Sequence, residues 1–295
     1  MSTIEKALAK QKAQEMLNQQ TPVPENTDKN NLSLPKNNDE TITAPVTSSN
    51  KQKIVLDKTS LEARGFLYDA SSRRITQEEF RSIKRKLINN AFGTGAKNLH
   101  HSNLIMITSS NPNEGKTFVS INLALIIALE QNKTVLLVDA DVLRPSINQE
   151  LEFDARNGLI EYLLAEVADV SDIIYSTSIN NFKIIPAGKP HELTNELLAS
   201  DRMGALASEL AERYPDRIVI FDCPPILGVT ETPVLATLMG QAIIVVEESK
   251  TKIDDVKRAT SQLNEDLAIG LVMNKTLKST KDTYGYYGYG YGKKT

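Results

Sequence analysis

Residues 108–117 read TSSNPNEGKT. An apolar run, Leu104–Thr108, precedes them, and an apolar stretch with helical spacing follows from Lys116 to Glu130. Strand, small-residue loop and helix in that order form the setting in which a chain wraps phosphate. Backbone N–H groups of Ser110, Asn113, Glu114, Gly115, Lys116, Thr117 and Phe118 would surround a β-phosphate, and the positive end of the helix dipole would favour it. Lys116 would reach the β- and γ-phosphates, and the Thr117 hydroxyl would ligate Mg²⁺. The usual first glycine of such a loop is replaced here by Ser110.

Two further apolar runs end in carboxylates. Residues 135–141 read VLLVDAD, with Asp139 and Asp141 two residues apart and hence on one side of an extended chain. Residues 218–225 read IVIFDCPP, with Asp222 after four apolar residues. In an open parallel sheet ligands bind at the carboxyl ends of the strands, so all three acids should converge on the phosphate loop. Asp222 is the natural hard-oxygen ligand for a metal bound to triphosphate. Asp139 and Asp141 could support that metal, and one of them, Asp139 ahead of Asp141, could orient an attacking hydroxyl or take its proton. Pro224 and Pro225 stiffen the turn that follows, and Cys223 reads as a small filler.

The elements that must hold these groups follow from periodicity. Strands are expected at Leu104–Thr108, Thr134–Asp139, Phe182–Pro186, Ile218–Asp222, Ala242–Val246 and Ile269–Asn274. Helices are expected at Gln77–Asn90, Lys116–Glu130, Gly158–Leu164, Asp201–Tyr214 and Lys252–Asp266. Alternation of this kind signals an α/β fold, a mainly parallel sheet with helices on both faces. Residues 61–97 form a lead-in and 98–280 the α/β domain.

The two ends differ from this middle. Residues 1–60 contain no aromatic residue and are rich in Asn, Gln, Thr, Ser and Pro, so they should be largely disordered. Within them Ser2–Leu17 has helical spacing at Ile4, Ala7 and Leu8, and Ser2 with Glu5 forms a capping box. A tether of about 40 residues spans roughly 35 Å, enough to hold the domain near a partner. At the other end residues 281–295 form a Tyr/Gly-rich tail, and five of the nine tyrosines lie in the last twelve residues. Tyr284, Tyr286, Tyr287, Tyr289 and Tyr291 alternate with glycine, which suits exposed hydroxyls that accept phosphate.

Composition narrows the functions. Lys plus Arg total 34 and Asp plus Glu 37, a net charge of −3, which argues against a nucleic-acid partner bound by bulk charge. One cysteine excludes an intrachain disulfide and points to a reducing, cytoplasmic setting. No apolar stretch approaches the roughly 18 residues of a membrane helix.

The set of motifs resembles the cytoplasmic kinase domain of the bacterial tyrosine kinase family, from about Gln77 to the C-terminus. The TSSNPNEGKT loop looks like that family's Walker A motif, Asp139-Ala-Asp141 like its Walker A′, and the run into Asp222 like its Walker B. Glu78, Arg81 and Lys84 stand where the family has an E-x-x-R-x-x-R helix, and the tyrosine cluster completes the likeness. Two departures are visible: Lys84 replaces the last arginine, and Val142 and Leu143 separate Asp141 from Arg144. The resemblance implies a P-loop NTPase-like fold, ATP and Mg²⁺ as cofactors, Thr117, Asp222 and Asp139 around the metal, and Lys116, Asp139 and Asp141 in catalysis. It implies a protein-tyrosine autokinase that phosphorylates its tail in trans. Glu78, Arg81 and Lys84 would join subunits into a ring, an octamer in the family, which tail phosphate would open. The N-terminal extension looks most like the exosortase-associated exopolysaccharide autokinase subgroup. The Ser2–Leu17 helix would then dock a membrane polysaccharide chain-length regulator at the inner face of the cell membrane, and a tyrosine phosphatase would oppose the kinase.

Two other readings use the same loop. Positioning ATPases resemble this chain in fold but carry a signature lysine five residues before the loop lysine, where Asn111 stands here. A nucleotide-sensing scaffold would use the tail only for docking. Asn274, after the last strand, is a candidate for contact with the base.

Overall fold

The inner apolar runs become strands that are buried on both faces, while the edge run Ala268–Asn274 stays largely exposed. The computed structural model describes residues 53–67 and 74–277. The strands are β1 (Leu104–Ser109), β2 (Thr134–Asp139), β3 (Tyr175–Ser176), β4 (Phe182–Ile185), β5 (Arg217–Asp222), β6 (Gln241–Glu247) and β7 (Ala268–Asn274). They form one sheet in the order β3-β4-β2-β5-β1-β6-β7. All neighbours are parallel except β3, which runs antiparallel to β4. The expected sheet therefore gains a seventh strand, a two-residue edge too short to show a period.

Helices α1 (Lys58–Ala63), α2 (Arg74–Phe92), α3 (Lys116–Ala128) and α4 (Ile147–Glu150) precede α5 (Leu159–Leu163) and α6 (Thr194–Leu198). They are followed by α7 (Asp201–Glu212), α8 (Glu231–Ala236) and α9 (Ile253–Thr260). The core has two layers. Leu104, Met106, Leu136 and Val138 pack with α5, α7 and α8 on one face, while Ile105, Ile107, Val135 and Leu137 pack with α1, α2 and α3 on the other. Strict alternation along each strand sends successive residues to opposite layers, which is why the runs read as continuous hydrophobicity.

Several boundaries differ from expectation for local reasons. The helix expected to run to Asp266 ends at Thr260, where Gln262 and Leu263 donate to carbonyls only three residues back, at 3.2 and 3.1 Å. Residues 53–60, within the stretch expected to be largely disordered, are held by specific contacts. Ile54 donates to the Ser176 carbonyl at 2.9 Å and accepts from Ser178 at 2.7 Å, while the Asp57 carboxylate caps α1 through Thr59 and Ser60. Ile54, Leu56 and Leu61 join the α3-side core, and the Phe66 ring stacks on Phe118 with centroids 5.7 Å apart. The Ser2–Leu17 helix and the tail tyrosines Tyr284, Tyr286, Tyr287, Tyr289 and Tyr291 lie outside the described residues.

Candidate active site

The sheet register brings the acids together. Asp139 and Asp222 are direct neighbours at the ends of β2 and β5. Counting back by two, Leu137 and Ile220 belong to the α3-side layer, so both carboxylates emerge on the face where α3 begins. There Thr117 donates its hydroxyl to Asp222 Oδ2 at 2.7 Å, and Ser120, one turn on, donates to Asp222 Oδ1 at 3.0 Å. Ser146 stands 2.9 Å from the Thr117 hydroxyl. Lys116 Nζ lies 2.5 Å from Asp141 Oδ2 and 3.9 Å from Asp222 Oδ2.

Glycine at position 115 is a geometric need. Its φ is +93°, and a Cβ there would sit 2.0 Å from Asn274 Nδ2. That amide donates to the Glu114 carbonyl at 2.9 Å, so Asn274 braces the loop from β7. The Glu114 carboxylate is buried and accepts from the Asn111 N–H at 2.9 Å and the Thr251 hydroxyl at 2.5 Å. From below, Thr108 donates to the Pro224 carbonyl at 2.6 Å, and Leu227 N–H to the Ser110 carbonyl at 3.2 Å. The turn after Asp222 is thereby tied to the loop. Ser110 itself is fully buried, and its hydroxyl has no partner among the described residues.

The electrostatics follow from burial. Burial alone would lower the Lys116 pKa, but the fields of Asp222, Asp141 and Asp139 outweigh it and raise the pKa above its ordinary value. Burial, reinforced by the Asp222 charge, holds the Asp139 carboxyl well above the usual carboxylate range, against the Ile147 N–H that favours ionisation. Burial likewise raises Asp222, opposed by Lys116 and the two hydroxyls. Cys223 is fully buried and its thiol is pushed up by that burial, which leaves it the filler expected.

Above this cluster opens a cleft of about 750 Å³ whose walls include Asn113, Lys116, Thr117, Phe118, Asp141 and Leu143. Asp141 faces the cleft, and its Oδ1 accepts the Arg144 N–H at 3.2 Å. Asp139 lies beneath it, fully buried, with Oδ2 accepting from Ile147 at 3.1 Å and Oδ1 without a partner among the described residues.

Comparison with known proteins agrees with this geometry. The AAA domain family matches residues 102–269. Tyrosine-protein kinase YwqD of Bacillus subtilis is 32% identical over 186 residues, covering 62% of this chain and 77% of YwqD. The chain belongs to the bacterial tyrosine kinase family. Tyrosine-protein kinase wzc of Salmonella typhimurium is 31% identical over 194 residues, 64% of this chain but only 26% of wzc, so the chain spans about a quarter of that longer relative. The kinase domain of Escherichia coli tyrosine kinase ETK shares the fold, with a TM-score of 0.59 at 24% identity over 81% of this chain and 94% of the ETK chain.

The family's expected interface helix is divided by its own burial pattern. On α2, Gln77, Phe80, Lys84, Leu87 and Ala91 form the buried stripe. Lys84 points inward and pairs with Glu130, just past the end of α3, within the same subunit. Glu78 and Arg81 pair with each other on the outward side. The sequence missed Ser120, Ser146 and Thr251, single hydroxyls whose partners lie from 29 to 137 residues away.

Proposed function

We propose that the protein is an ATP-dependent protein-tyrosine autokinase that phosphorylates its own C-terminal tyrosines. The observation that carries this is the pairing, at one helix start, of Lys116 with Asp141 at 2.5 Å and of Thr117 with Asp222 at 2.7 Å. A lysine and a hydroxyl are thus set for a phosphate chain beside an acid that reaches the cleft.

The donors fit a magnesium ion. Thr117 and Asp222 offer adjacent oxygens, and the fully buried Asp139 keeps Oδ1 without a partner among the described residues. Among the described residues no group of three or more His, Cys, Asp or Glu side chains is placed to hold a metal, so phosphate oxygens and water would complete the shell. Bound there, Mg²⁺ would neutralise charge on the phosphate oxygens. Lys116 would orient the β- and γ-phosphates, and the N–H groups of Gly115, Lys116 and Thr117 would receive the β-phosphate. Asp141 is better exposed than Asp139 to take the tyrosine proton. The tyrosine Oη bonds to the γ-phosphorus, the bond to the bridging oxygen breaks, the Oη proton passes to the Asp141 carboxylate, and ADP leaves.

Residues 281–295 serve as the acceptor segment, and Tyr284, Tyr286, Tyr287, Tyr289 and Tyr291 as acceptors. Transfer runs in trans between subunits of a ring, with Glu78 and Arg81 as contact residues and Lys84 supporting their helix from inside. The Ser2–Leu17 segment docks a membrane polysaccharide chain-length regulator, a tyrosine phosphatase resets the tail, and the pathway is exopolysaccharide synthesis and export. No described helix is long and apolar enough to cross a membrane, which agrees with recruitment through a partner.

Peptide mass spectrometry of phosphatase-treated protein, before and after ATP and Mg²⁺, tests the proposal. Phosphate should return to Tyr284–Tyr291 in the wild type and stay absent in Lys116→Met. ATP hydrolysis without tail phosphate would overturn it in favour of a positioning ATPase.

A further inference from the structure

The edge of the sheet farthest from β3 carries apolar surface that the folded domain leaves uncovered. Along β7, Leu271 and Met273 are 59% and 60% exposed, and Ile253 at the start of α9 is 74% exposed. With Val246 and Val256 they line a groove of about 660 Å³. Three large exposed apolar side chains converging on one groove need an occupant.

The chain's own course supplies one. Lys275 adopts φ +57°, which turns the chain out of β7. The N–H of Leu277, the last described residue, then donates to Glu248 Oε2 at 2.6 Å. Glu248 lines the groove, so the chain leaves the domain tethered to the groove's rim. Beyond it lie 18 residues, among them the five clustered tyrosines. From Leu277 to Tyr284 the chain can span about 23 Å, at roughly 3.3 Å per residue. Leu271 is six residues back, hence at most roughly 20 Å from Leu277 by the same measure, so a single reversal carries the tyrosines over the groove. Tyrosine suits it: the ring covers apolar surface and packs against methionine sulfur while the hydroxyl remains in water.

We infer that the unphosphorylated tail segment Tyr284–Tyr291 folds back in cis onto the groove between α9 and β7, and that phosphorylation releases it. A phosphotyrosine would bring close to two negative charges onto apolar surface, where desolvation opposes docking; Glu248 on the rim adds repulsion, set against Lys257 on the same rim, while Glu247 is already paired with Lys250 and Lys275. Docking thus stores unmodified tails and frees modified ones. The release step, but not the docking itself, rests on the autokinase reading.

The test uses the full chain after phosphatase treatment, with Lys257→Cys on the groove rim, Gly288→Cys in the tail and a short bismaleimide linker. Cys223 is fully buried and does not compete. Leu271→Asp with Met273→Asp leaves the tether intact and abolishes the apolar seat, so it sets the rate for a tethered but undocked tail. Cross-linking within one chain should run at least tenfold faster than that baseline and should not change on tenfold dilution. Replacing all five tail tyrosines with glutamate should return it to baseline without any need for kinase activity. Equal rates with and without the two aspartates would overturn the docking, as would products that are mainly intermolecular and scale with concentration, since a second copy would then fill the groove. Charge-driven release fails if the glutamate variant still cross-links at the fast rate. If ATP adds no phosphate to the wild type, the autokinase reading fails while these rates still decide the docking.

Discussion

Gly115→Ala should do two separable kinds of damage at the phosphate loop. An alanine held at φ +93° costs about 1–3 kcal/mol in backbone strain. Its Cβ would also stand 2.0 Å from Asn274 Nδ2, so the amide must swing away and give up its 2.9 Å bond to the Glu114 carbonyl, about 1 kcal/mol more. The total expected loss is about 2–4 kcal/mol, measured by urea denaturation of the nucleotide-free protein. Asn274→Ala alone should cost about 1 kcal/mol. In the double variant the amide is already absent, so adding Asn274→Ala to Gly115→Ala should cost almost nothing further, leaving a coupling energy of about 1 kcal/mol. Strict additivity of the two losses would refute the idea that Asn274 braces the loop against a residue that must be glycine.

Lys116→Met should reduce phosphate incorporation at least 100-fold, a loss of roughly 3 kcal/mol in transition-state stabilisation, read by radiolabelled ATP transfer. Changing all five tail tyrosines to phenylalanine should remove most incorporated phosphate while leaving ATP affinity in calorimetric titration unchanged. Arg81→Ala should alter stability by no more than about 0.5 kcal/mol yet weaken self-association in light scattering, whereas Lys84→Ala should cost about 1–2 kcal/mol by removing a buried stem and ion pair. Asp139 binds its proton more tightly folded than unfolded, so it makes stability fall as pH rises from the ordinary carboxylate range through its raised native pKa. Thermal melts across that window should show Asp139→Asn gaining on the wild type as pH rises, and a constant difference would refute the assignment.

The strands and the phosphate loop were legible because their causes are local. Leu136, Val138, Val219 and Phe221 lie on the helix-covered faces of inner strands, and that burial writes itself as unbroken apolar runs. Asp139, Asp141 and Asp222 were legible because strand ends in a parallel sheet share one rim. What stayed hidden depends on contacts made at long range. Ser120 is an ordinary helix serine until the fold brings it to Asp222, 102 residues away. The ordering of Ile54 and Leu56 needed the Ser176–Ser178 segment, whose backbone pairs with Ile54 and whose Ser178 hydroxyl accepts from the Leu56 N–H, since nothing in their polar neighbourhood announces a partner. β3 is two residues long and exists only because β4 leaves an edge to pair with.

Lys84 shows how a motif read by letters can divide when it is read by geometry. In the sequence, Glu78, Arg81 and Lys84 form one charged series at three-residue spacing, and a charged side chain is ordinarily assigned to solvent. On the helix, positions 77, 80, 84, 87 and 91 recur at alternate steps of three and four, the period of a single buried stripe. Lys84 falls within it, 9% exposed, and its ammonium reaches the rim of the stripe to meet Glu130. Such a side chain buries its methylenes and needs only its tip partnered. A neighbouring subunit can therefore meet Glu78 and Arg81, which lie on the outward face, but not Lys84 unless α2 lifts from α3. Loss of Lys84 should then act on assembly only through the stability of its own subunit, whereas loss of Arg81 should act on the contact itself.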